Sequence, residues 1–172
     1  RRGIYLLPNL LTTGALFFGF YAIIASIHGE FRASVLAMFA AMVLDGMFER
    51  FPGLRGASVE EGAMWVVPWI RRLDRAMQFA KTEAPLRDLT KLPSEYVHDH
   101  LRFTPFAGEP VGWMLDQAGA DLFMFSSDYP DPEGTKDPID RFEATMGGLD
   151  DSTLDGFYNA NFSALYRGVV PV

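Results

Sequence analysis

Polar and apolar positions divide this chain into two stretches of different character. From Gly3 to Ile27 no residue is charged. The run NLLTTGALFFGFYAIIASI within that stretch is about as long as a helix needs to cross ~30 Å of hydrocarbon, so the pattern predicts a transmembrane-like helix. Gly14, Ala15, Gly19 and Ala22 are small and would let a second helix approach closely. HGEFR, residues 28–32, reads as a polar turn. ASVLAMFAAMVL, residues 33–44, is a second apolar run, short for a full span. A cleaved signal peptide would carry one such run, not two, and a soluble helix apolar on all faces needs a large protein around it. Arg1 and Arg2 ahead of the first run favour a cytoplasmic start.

From Phe48 onward the periods alternate. LRGAS, residues 54–58, predicts a short strand. Trp69, Ile70, Leu73, Met77 and Ala80 recur at helical spacing, with Pro68 in the first turn and Pro85 as a stop. DLTKLPSEYVHDH reads as a mixed connection, and LRFTPF, residues 101–106, alternates like a strand. PVGWMLDQAG predicts a helix closed by Gly119. DLFMFSS, residues 121–127, is apolar for nearly its whole length, the mark of a strand buried on both faces. DPIDRFEATMGG predicts a helix with Asp137 as N-cap before Pro138, and a final helical pair starts with Asp151 as its cap. Strands alternating with helices imply an α/β fold with a parallel sheet, here about three βα units.

Charge follows the same division. Residues 1–47 hold five charged groups, net +1, and subtracting that from the whole-chain −7 leaves −8 for residues 48–172. An acidic domain with no basic patch is a poor partner for nucleic acid. With no cysteine in the chain, disulfides, zinc ribbons and thiol nucleophiles are excluded.

The residues RRGIYLLPNLLTTGALFFGFYAIIASIHGEF and AMVLDG resemble the start of the phosphatidylserine synthases, members of the CDP-alcohol phosphatidyltransferase family. That resemblance implies a membrane enzyme whose aspartates hold Mg²⁺ or Mn²⁺ against a pyrophosphate. Asp45 and Gly46 match the family's signature and Arg50 falls at the right offset, but Glu49 replaces a small residue. No further aspartate follows until Asp74. Asp45 is therefore a metal ligand on this alternative reading only, and otherwise a polar residue at a helix end.

The strongest candidate site is FMFSSDYPDPEG, residues 123–134, where a buried strand delivers Asp128 at its C-terminal end. Ligands bind at that end of parallel α/β sheets. A carboxylate there can ligate a metal or accept a proton, or it can cap its own turn before Pro130. The residues FERFPGLRG, EEGAMWVVPWIRRLD, LPSEYVHDHLRFTPF, FSSDYPDPEG and NANFSALY resemble the C-terminal part of the amidohydrolase-related proteins. This is the branch that includes aminocarboxymuconate-semialdehyde decarboxylase. The resemblance spans about residues 46–168. It implies part of a (β/α)₈ TIM barrel, a small-molecule substrate and metal-dependent hydrolysis or decarboxylation with Zn or Mn. Asp128 matches the late aspartate, implying metal ligand and proton acceptor. The family's early His-x-His pair would lie upstream of residue 46, where the apolar segment stands. Glu61, in Glu60-Glu61-Gly62, matches a strand end where many members place a histidine; it offers a weaker oxygen ligand, or is simply a solvated or helix-N-terminal carboxylate. His98 and His100 have His-x-His spacing, but they precede a strand and match another part of the family.

Two domains follow: residues 1–46, phosphatidylserine-synthase-like and apolar, and residues 47–172, the end of an amidohydrolase-like barrel. The principal expectation is a fragment of a metal-dependent hydrolase or decarboxylase, inactive as this chain alone. The alternatives are a phosphatidyltransferase truncated after its first motif and a non-catalytic, membrane-tethered chimera. Membrane association through residues 4–44, a cytoplasmic 47–172 part and self-association complete the expectations. Self-association is expected because three βα units leave sheet edges uncovered.

Overall fold

The structure, a computed structural model, describes residues 6–83, 89–131 and 134–166, with the side chains of 6–16 and 79–83 outside that description. Arg1, Arg2 and Pro85, to which the sequence assigns roles, lie outside the described residues. The chain forms two compact units, each built from two stretches: Arg1–Leu54 with Pro68–Asp99, and Arg55–Val67 with His100–Val172.

In the first unit both apolar runs are helical, α1 over Leu6–Ile27 and α2 over Phe31–Leu44. Gly29, at φ 76, makes the turn between them, a backbone conformation that costs glycine little. The Ser34 hydroxyl donates to the carbonyl of Ala22 at 2.8 Å, pinning the two helices together. On α1 only Ala22 and Ala25 are buried among the described side chains, while Phe17, Phe20, Ile23 and Ile27 are at least 60% exposed. Among the described residues no helix is long and apolar enough to cross a membrane. The expected helices are thus present, but their membrane-spanning role gains no support. At 1.5 Å per residue, fourteen-residue α2 reaches only about 21 Å. A short helix α3 follows, Met47–Arg50, and then α4, Val66–Glu83, and α5, Pro93–His100. Trp69, Ile70, Leu73 and Met77 of α4 are buried as their spacing predicts, and Trp69 meets Phe39 of α2 at 6.5 Å between ring centroids.

The stretch expected to be a mixed connection is the helix α5. Pro93 opens it, pre-set in φ for a first helical position. The Glu95 carboxylate accepts the Leu92 N–H at 2.6 Å and the Asp74 carboxylate accepts the Ser94 N–H at 2.9 Å. Side chains thus take up N–H groups that a helix start leaves open. His98 and His100 therefore sit two apart on a helix, about 200° around its axis. The common face that a strand would give them is lost.

The second unit holds a parallel sheet. Strand β1, Gly56–Ser58, pairs with β2, Leu101–Phe103, in the register Gly56 to Leu101 and Ser58 to Phe103. A third segment joins β2 on its other side through a parallel bridge between Phe103 and Phe123. The Phe103 N–H donates to Leu122 at 2.9 Å and the Met124 N–H donates to Phe103 at 3.0 Å. Leu122, Phe123 and Met124 are all buried. Consecutive strand residues point to opposite faces, so this segment is covered on both, as its run of apolar residues predicts. Its pairing with β2 is limited to that bridge and does not make a seven-residue strand, and on its far side it meets no partner strand among the described residues. There the Phe125 N–H donates instead to Phe157 at 2.9 Å, in the helical region described next.

Helix α6, Val111–Ala118, ends at Gly119 as expected. Helix α7, Pro138–Glu143, begins after Asp137, whose side chain makes no cap bond. Helix α8, Asp151–Asp155, is capped by Asp150 and not by the expected Asp151: the Asp150 carboxylate accepts the Thr153 N–H at 3.0 Å. A wide π turn, Gly156–Ala160, leads into α9, Asn161–Leu165. Phe125, Phe142, Phe157 and Tyr158 form an aromatic cluster with centroid separations of 5.1–6.4 Å. Beside it the Asn161 carboxamide donates to the carbonyls of Ala120 and Phe123, each at 2.7 Å. A side chain from the last helix thus holds the third parallel segment.

Candidate functional site

Parallel strands direct their C-terminal ends to one edge, and the loops at that edge of the second unit carry both Asp128 and Glu61. Asp128 lies five residues beyond the Phe103–Phe123 bridge and has φ 51. A left-handed, non-glycine residue is unusual; Asp and Asn tolerate it best, and such strain clusters at functional loops. The Ser126 hydroxyl donates to Asp128 Oδ1 at 2.5 Å, and the Asp128 N–H returns a 3.4 Å bond to Ser126 Oγ. The Asp128 carbonyl accepts the Asp131 N–H at 2.8 Å. At Gly134 a Cβ would stand 2.6 Å from that same carbonyl, so the loop returns against its own start and needs glycine there. Asp128 is half-buried and keeps a second carboxylate oxygen beyond the one Ser126 engages. The carboxylate therefore both shapes its own turn and stands at the sheet's C-terminal edge.

Glu61 occupies the loop after β1 and is also half-buried. Its neighbours Glu60 and Gly62 are both left-handed, at φ 66 and φ 62. β1 and the third segment flank β2, two strand spacings or about 10 Å apart at the backbone. Asp45 belongs to the first unit, where it is the C-cap of α2 and pairs with Arg50 at 2.8 Å. An aspartate with a guanidinium partner at a helix end is the simpler of the two roles expected for it.

These residues do not assemble a metal centre. Among the described residues no group of three or more His, Asp or Glu could hold a metal ion. Glu61 and Asp128 offer the hard oxygen donors that divalent ions take, yet two carboxylates on loops one strand apart fall short of a coordination sphere. The described residues do not by themselves complete a site for the divalent ion that the resemblance implies.

Three residues that the sequence pattern passed over hold the loops of this edge or the segment that leads to it. Ser126 was visible only as a serine two places before the aspartate. Glu109 was visible as an acidic residue just ahead of a proline and a helix. Asn161 was visible as an amide at the head of a helix.

Two solved structures are similar to this chain in fold. One is an amidohydrolase from Mycobacterium avium subsp. paratuberculosis K-10, with a TM-score of 0.67 and 24% identity over 84% of this chain and 39% of that one. The other is the 5-carboxyvanillate decarboxylase LigW from Sphingomonas paucimobilis, with a TM-score of 0.57 and 24% identity over 74% of this chain and 38% of that one. The fold is amidohydrolase-like. The chain spans about two fifths of either structure. No family model and no curated protein matches it. The phosphatidyltransferase resemblance of residues 1–46 gains no support from these likenesses.

Proposed function

We propose that the chain is the C-terminal portion of an amidohydrolase-type hydrolase or decarboxylase, with Asp128 its inherited catalytic carboxylate and Glu61 a second oxygen group on the same rim. One observation carries this reading: parallel segments bring both carboxylates to the C-terminal edge of an amidohydrolase-like sheet. Asp128 is suited to hold or accept a proton there, oriented by the Ser126 hydroxyl. A complete set of ligands would hold Zn or Mn; the described residues supply too few, so the chain is expected to be inactive by itself. The test is calorimetry with Zn²⁺ and Mn²⁺ on the wild type and Asp128→Asn, beside assays for hydrolysis and CO₂ release. Weak heats lost in Asp128→Asn, without turnover, are expected. Equal and negligible heats in both proteins would remove Asp128 as a ligand, and turnover by the chain alone would overturn its status as a fragment.

A second reading concerns the first unit. We propose that the α1–α2 hairpin associates with lipid through its exposed apolar surface. The exposed apolar residues of α1 wrap well beyond the narrow stripe that one partner helix covers. A groove of about 910 Å³ alongside is lined mainly by apolar residues, among them Phe20, Ile23, Ile27, Met38 and Met42. Flotation with neutral phosphatidylcholine vesicles is expected to carry the protein upward; a protein left at the bottom would contradict it.

A further inference from the structure

Glu109 lies between β2 and α6, and its carboxylate collects three main-chain donors. Oε2 accepts the N–H of Ala63 at 2.8 Å and of Phe106 at 3.0 Å, and Oε1 accepts the N–H of Met64 at 3.1 Å. The donors come from two loops, one following β1 and one following β2. Converging backbone N–H groups form a concave nest suited to an anion, and here the chain supplies the anion itself. The nest adjoins Glu61: a Cβ on Gly62 would stand 2.8 Å from Glu109 Oε1. The Trp65 indole N–H fixes the same loop by donating to the Gly62 carbonyl at 3.0 Å.

We propose that Glu109 is the positioning residue of this rim. It is an internal carboxylate that holds the left-handed turn on either side of Glu61 and so fixes where Glu61 stands. The inference rests on the reading of Glu61 as a rim group. A carboxylate bonded to charge-neutral N–H groups makes stronger bonds than a neutral acceptor would. Cutting the side chain away leaves a nest shaped for one carboxylate, so a small carboxylic anion should refill it.

The experiment uses the full chain as wild type, Glu109→Ala and Glu109→Gln, with and without excess sodium acetate, and sodium chloride as the ionic-strength control. Amide hydrogen exchange is followed at Ala63, Met64 and Phe106, together with the carboxyl ¹³C shift of Glu61. In Glu109→Ala the three amides are expected to exchange faster by roughly ten- to a hundredfold, while the amides of α9 keep their rates. The Glu61 shift moves, acetate restores both readouts and chloride restores neither. Glu109→Gln, which keeps one acceptor oxygen, falls between. If Glu109→Ala does not fold, Glu109→Gln and Gly62→Ala carry the test through the same amides. Unchanged exchange in a folded variant overturns the clamp. Faster exchange with an unmoved Glu61 shift, or recovery by chloride as well as acetate, overturns the positioning role. None of these readouts needs metal or turnover, so a failure of the catalytic reading in the Asp128→Asn experiment is seen separately.

Discussion

At the scale of single residues, the groups that matter hold backbone in place more often than they face solvent. Asn161 shows this: its two carboxamide bonds tie α9 to the third parallel segment. Asn161→Leu keeps the bulk but strands two carbonyls, and each unpaired buried group costs about 1–3 kcal/mol. A loss of roughly 2–4 kcal/mol in urea unfolding is expected; a change under ~0.5 kcal/mol would mean that water takes over both bonds. Tyr96 makes a different case. It is buried and donates its hydroxyl to Glu49, which also accepts from Thr90 at 3.1 Å. Burial first, and the Glu49 bond second, hold the Tyr96 phenol above its usual value; the Tyr96 bond is the main cause holding the Glu49 carboxyl below its own. The signs follow from linkage. The Tyr96 contribution is complete below the phenol's ordinary value of 10.0 and is lost as pH rises through the higher folded value. The Glu49 contribution is complete above 4.5 and is lost as pH falls through the lower folded value. Tyr96→Phe is therefore expected to flatten the alkaline limb of stability against pH and weaken the acid limb. Denaturant midpoints taken across both limbs check this, and an unchanged alkaline limb would refute it.

At the scale of elements, most segments were legible, the short strands β1 and β2 and the helix α7 included, but α5 was not. α1, α2, α4 and α6 follow from their apolar runs or spacing because a helix of two turns or more repeats its signal. α5 was missed because Pro93, Ser94 and Glu95 look like loop residues until their capping bonds are seen. Asp137 has the right neighbours for a cap but makes no cap bond, while Asp150 does, a difference of geometry that residue type does not encode. The contact between α6 and the end of α7 was equally hidden. Gly112 sits in α6, where alanine would ordinarily favour the helix by about 1 kcal/mol. Here a Cβ would meet the Thr145 carbonyl oxygen at 2.3 Å and Met146 Cα at 3.3 Å. Both are backbone atoms, so the segment as a whole must shift, and overpacking of this kind costs about 1–3 kcal/mol. Gly112→Ala is thus expected to destabilise. A raised melting temperature would show that propensity outweighs the contact.

At the scale of the whole molecule, the site was only partly legible. Asp128 could be found because a buried apolar run pointed at it. Glu109 could not, because its role depends on amides contributed by two loops that the sheet brings together. The apolar N-terminal segment raises the opposite problem: its signal was strong, but a helix is all that the signal establishes. Its exposed face supplies the last test. Ile23 and Ile27 are 60% and 73% exposed, so replacing both with lysine removes apolar surface without placing charge in a core. Exposed apolar surface of this kind drives association with lipid or with itself. The wild type, 19.2 kDa as a monomer, is expected to scatter light as a larger species in the absence of lipid, and Ile23→Lys/Ile27→Lys to approach the monomer mass and lose vesicle flotation. If the double variant stays as large as the wild type, association arises elsewhere. The free side of β1 is then the next place to examine, because among the described residues that strand pairs with β2 alone and unpaired strand edges recruit partners.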